Sequence, residues 1–122
     1  MTQNHKLILA SRVEHTPVLN EDGWMIGRIK DLSIDRETGQ VECGIVGFGG
    51  ILGMGNKLLA IPWAELRYDP HHKGFVVSIS EDDLRKAPHY DAYELEEFGG
   101  SHPEEKAAKV LDYYGRYAPP AF

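Results

Sequence analysis

Apolar residues cluster or alternate at the spacing of short strands over residues 7–9, 17–19, 24–34, 40–48, 58–63 and 75–80, separated by turn-forming residues, as in a small barrel or sandwich. Alternation is clearest where Phe75, Val77 and Ile79 share one face, and where Val41, Cys43 and Ile45 oppose Glu42 and Gly44. The pair Asp22-Gly23 marks a hairpin turn, and Asp35 to Gly39 closes the next pair with Gly39 where a positive φ is needed. Asp69 to Gly74 forms a third turn. Three hairpins in succession favour antiparallel pairing over crossover helices.

After Ser80 the period changes. Ser80 is placed to cap a short helix with Glu81, Asp82 and Asp83 in its first turn, and Pro88 limits it to about two turns. Ala92, Leu95 and Phe98 are three apart, and Gly99-Gly100 then interrupts the pattern. A last helix is predicted from Ser101, with Ala107, Leu111 and Tyr114 on one face, widened by Val110, Tyr113 and Tyr117. The expected architecture is therefore mainly β over residues 6–90, followed by a helical, acidic and aromatic tail over 91–122.

A chain of 122 residues with 42% hydrophobic and 26% charged residues has the composition of one globular domain, neither disordered nor fibrous. No apolar run reaches the length of a membrane span or of a signal segment, and the single Cys43 leaves no intrachain disulfide to form. A cytoplasmic location without membrane insertion is the expectation. The net charge of −6 is uneven: residues 1–60 carry six Lys/Arg against seven Asp/Glu, and residues 61–122 carry seven against twelve. With no cluster of cations along the chain, direct nucleic-acid binding is not expected, whereas a basic protein surface is a plausible partner by charge.

The order and spacing of the turn residues resemble the PRC-barrel family. The resemblance rests on Asp22-Gly23 with Ile26, Gly27, Ile29, Asp31 and Leu32; on Asp35 to Gly39; on Gly49, Gly50, Gly53, Gly55 and Lys57; on Ile61-Pro62-Trp63; and on Ala87-Pro88. It covers residues 6–90 and implies a small, strongly bent antiparallel β-barrel whose relatives serve as docking or assembly modules. These include the H subunit of photosynthetic reaction centres and the C-terminal domain of a ribosome maturation factor. Neither the first protein's transmembrane helix nor the second's separate N-terminal domain is expected in this chain, so neither specific role is expected to carry over.

The chemistry expected of the chain is correspondingly non-enzymatic. The glycine-rich run ending at Lys57 fails the P-loop pattern, because Asn56 separates Gly55 from the lysine and Leu58 follows it. His5, His15, His71, His72, His89 and His102 lack the spacing of a metal site, and Cys43 reads as a small buried hydrophobe. Trp63 is expected to pack on the core. No catalytic residue, cofactor or metal is expected. The candidate interface comprises Ile51, Leu52 and Met54 of the glycine loop with Tyr113, Tyr114 and Tyr117 of the tail, which suit a self-associating module, a homodimer, with a further protein partner unknown. Two alternatives stay open: a small-ligand or ion-binding sensor, and a ribosome-maturation accessory docking on a basic ribosomal protein.

Overall fold

A computed structural model describes residues 7–51, 53, 55–91 and 113–114, with the side chain of residue 51 excepted. The first element among the described residues is one helical turn, α1 (Ala10–Val13), and residues 7–9, expected as a strand, form none. Three apolar residues in a row carry no period; Leu9 keeps extended backbone angles, but its carbonyl accepts from the amides of Arg12 and Val13, so the helical turn starts directly after it. Strand β1 (Pro17–Leu19) then pairs antiparallel with β2 (Met25–Ile34). Their turn is built as expected: Asn20 Oδ1 accepts from the amides of Asp22 and Trp24, both at 3.0 Å, and Gly23 takes φ +89°. The next turn works likewise, with Asp35 Oδ1 accepting from Glu37 and Thr38 and Gly39 at φ +78°, leading into β3 (Val41–Gly47).

After β3 a single 3-10 turn, Gly49–Ile51, opens the glycine loop, and the chain returns as β4 (Leu58–Pro62) along β3. A second 3-10 turn, Trp63–Glu65, delivers β5 (Arg67–Asp69), which forms a hairpin with β6 (Gly74–Val76). Helix α2 (Glu81–Lys86) follows, its Ser80 Oγ accepting from the Asp83 amide at 3.1 Å as a capping residue should. A two-residue strand, β7 (His89–Tyr90), joins β4.

The strand order is β5-β6-β1-β2-β3-β4-β7. β4 and β5 stand five places apart in that order, which in a flat sheet would separate them by roughly 24 Å. Only residues 63–66 connect them, and a 3-10 turn of that length spans about 10 Å. The sheet must therefore curl until its ends meet, which is what makes it a barrel. Register shifts within β2 at Ile29/Asp31 and Ser33/Ile34 supply the bending.

Two expectations are corrected here. Pairing is antiparallel except between β1 and β6, which run parallel with Val18 opposite Phe75, because the β5–β6 hairpin arrives across the barrel end instead of from a neighbouring strand. Gly44 does not face solvent opposite Cys43: a Cβ on it would meet Leu66 Cδ1 at 2.5 Å, because the link that closes the barrel lies over β3. The core gathers Val18, Ile26, Ile29, Ile45, Val46, Phe48, Leu59, Ile61, Phe75 and Val77 inside the barrel, with Leu84 of α2 and Tyr114 also buried in it. The remainder of the expected helical tail lies outside the described residues. No helix among the described residues is long and apolar enough to cross a membrane.

Candidate functional site

On β2 and β3 two glycines come close, Gly27 standing one residue before Arg28, the partner of Gly47. Gly27 is buried, and a Cβ there would lie 2.7 Å from both the Gly47 carbonyl oxygen and Phe48 Cδ1. Gly47 in turn lies beneath the aliphatic part of Lys30 and beside Leu58. With no side chains on these positions, a groove of about 730 Å³ opens between β2, the end of β3, the glycine loop and the start of β4. Met25, Phe48 and Leu58 supply its apolar lining. Arg28, Lys30 and Lys57, all exposed, bring three cations to it, against one acid, Asp91. Arg28 is steadied by donating from Nη1 to the His15 carbonyl at 2.9 Å. Gly49, Gly53 and Gly55 hold φ between +55° and +68°, a path few other residues follow without strain. The glycines lead through one 3-10 turn into a strand, whereas a P-loop would lead into the N-terminus of an α-helix.

Of the residues expected at an interface, Leu52, Met54 and Tyr117 lie outside the described residues, as does the side chain of Ile51. Tyr113 is half-buried and its hydroxyl donates to the Asp83 carbonyl. Tyr114 is only 1% exposed, within the core. The groove cations were not flagged by sequence reasoning, although Arg28 and Lys30 are two apart on one strand and so share a face, a signal that was available. Lys57 joins them only through the β2–β3–β4 pairing.

Cys43 is half-buried, and burial followed by the charge of Glu42 pushes its thiol up to about 11, so it stays protonated at neutral pH. Its strand position was anticipated, its partial exposure was not. Trp63 packs against the core as expected, its ring centroid 5.2 Å from that of Phe75. The two turn histidines part: the His71 amide donates to Asp69 Oδ1 at 2.9 Å, and His72 Nδ1 lies 2.7 Å from Asp69 Oδ2. The His72 hydrogen bond, with that of the His71 amide, holds the Asp69 carboxyl below its usual range.

Glu65 was missed altogether. It ends the 3-10 turn that closes the barrel, is 8% exposed, and its Oε2 meets no hydrogen-bonding group among the described residues. Burial pushes its carboxyl up from the ordinary value of 4.5. A raised folded-state value means that the fold favours the protonated form. The associated stability is complete below the ordinary value and is lost as pH rises through the raised one. Glu65→Gln is accordingly expected to be more stable than the parent at pH 7 by about 1 kcal/mol. The gap should narrow toward pH 4 in thermal melts; a gap independent of pH would show that the carboxylate is not desolvated.

Beyond these sites, the turn positions and the bent sheet follow one established pattern. A family model described as PRC-barrel domain matches residues 5–84. The chain belongs to the PRC-barrel family. No curated protein matches it. In this PRC-barrel the match covers the chain from the approach to α1 through Leu84 of α2, so that β1 to β6, both 3-10 turns and the groove's glycine loop lie inside it.

Proposed function

We propose that this PRC-barrel is a non-enzymatic interaction module, residues 6–90 with an appended tail over 91–122, that self-associates by seating a second copy in the groove beside the glycine loop. The observation that carries the reading is the groove's charge: three exposed cations, Arg28, Lys30 and Lys57, gather around an apolar lining in a chain whose net charge is −6. The acids are thus in excess elsewhere, as in the first turn of α2 with Glu81, Asp82 and Asp83. In a two-fold pair each groove faces the other copy's acidic surface, so the favourable contact is made twice. Met25, 42% exposed at the groove, adds a flexible apolar side chain that adapts to an incoming surface.

The test is sedimentation velocity over a concentration series at low and high salt. Self-association is expected at low salt and should weaken as salt screens the pairing. The double variant Lys30→Glu, Lys57→Glu reverses two exposed charges and is expected to weaken the dimer at least about tenfold while the circular dichroism spectrum stays that of the parent. A parent that sediments as a monomer at every concentration would end the reading.

A further inference from the structure

A second cavity, of about 430 Å³, lies on the far side of the barrel closure, where the Trp63–Glu65 turn crosses to β5 and β6. Its lining includes Trp63, Glu65, Arg67, Val76 and Ser78. Glu65 is the unusual member. A carboxylate this far removed from water is normally matched by a cation or by hydrogen-bond donors, yet Oε2 has neither among the described residues. Arg67, two residues on, is exposed at the cavity and forms no ion pair with it. The half-buried Trp63 contributes an aromatic wall and Ser78 an exposed hydroxyl.

We propose that this pocket receives the guanidinium of an arginine side chain presented by a partner protein. A planar cation with several N–H donors satisfies the carboxylate oxygen and the serine hydroxyl, and it stacks on an indole face. A lysine ammonium provides the charge without the stacking plane. A metal ion is disfavoured by the ligand set: no group of three or more His, Cys, Asp or Glu able to hold one occurs among the described residues. The other charged residue of the lining, Arg67, is a cation that repels lysine and arginine alike, which leaves Glu65 to decide the pocket's selectivity. Its location on the closing link also separates it from the glycine groove, so the proposal goes beyond self-association.

The deciding experiment titrates the full-length, isotope-labelled protein with the blocked tripeptide acetyl-Gly-Arg-Gly-amide, followed by amide and indole chemical shifts. The same titration is run with the citrulline counterpart, which keeps the shape and loses the charge. The arginine peptide is expected to shift the Trp63 indole and the amides of residues 64–67 and to leave the Trp24 indole in place. Citrulline should bind at least about tenfold more weakly, and Glu65→Gln, which is expected to fold, should lose the preference. Equal binding of the two peptides, unmoved Trp63 signals, or an undiminished preference in Glu65→Gln would each overturn the proposal. Repeating the titration on the Lys30→Glu, Lys57→Glu variant separates the two sites: arginine binding that persists there stands whether or not the protein self-associates.

Discussion

Tyr114→Ala is expected to lower the stability of the protein by about 3–5 kcal/mol and its melting temperature by more than about 10 °C. Tyr114 is 1% exposed and belongs to the buried cluster that fills the barrel, although it is distant in sequence from every strand among the described residues. Its ring meets that of Tyr113 edge-on at 5.1 Å and 82°, and the Tyr113 hydroxyl donates to the carbonyl of Asp83 in α2. Truncation would remove a large side chain from a site with no nearby group able to fill the space, so transfer and cavity costs add. Chemical denaturation of the purified variant measures the loss directly. A change under about 1 kcal/mol would mean that Tyr114 is not part of the core in solution, and would make it available as the interface residue that its aromatic surroundings in the sequence first suggested.

The second large effect comes from adding a single methyl group. Gly27→Ala places a Cβ 2.7 Å from the Gly47 carbonyl oxygen and 2.7 Å from the Phe48 ring. The oxygen belongs to the strand paired with β2, where Arg28 stands opposite Gly47, and it cannot retreat without opening the ladder. Phe48 is buried and equally constrained. Overpacking of this kind costs about 1–3 kcal/mol. Gly50→Ala is the matched control, since a Cβ there meets nothing within 4 Å and Gly50 does not hold a positive φ; its effect should stay within about 0.5 kcal/mol. If both variants melt together, the two strands do not approach as closely as the geometry requires, and the groove they form would be shallower.

What the chain discloses on reading is what local chemistry decides. Asn20, Asp35 and Ser80 bind backbone amides two to four residues away, so the first two hairpin turns and the start of α2 could be located without knowing the fold. Strand β1 was bounded correctly for the same reason, with proline at one end and a turn at the other. β5 and β7 were not found. Arg67 and Tyr68 are exposed and β7 has two residues, so neither offers an alternating pattern, and both exist because a neighbouring strand provides the pairing. The site divides in the same way. Glycine loop residues declare themselves by type, whereas Arg28 and Lys57 meet only through the registers of two strand pairs. Glu65 lies in an ordinary sequence between Ala64 and Leu66, and its burial results from the barrel closing over it, an event that no window of residues around it encodes.

The parallel alignment of Val18 with Phe75 sets a condition on synthesis. As the chain leaves the ribosome, β1 to β4 can pair in order, each with the strand just made, but the outer edge of β1 stays open until β6 has emerged. During that interval a nascent chain presents unpaired backbone donors and acceptors to any other extended segment nearby. Polysomes carrying several such chains at once offer the edge a partner from a neighbouring molecule before its own arrives. The interval ends with a hairpin of two three-residue strands, so the speed at which Arg67 to Val76 folds back governs how long each new molecule is exposed to mispairing.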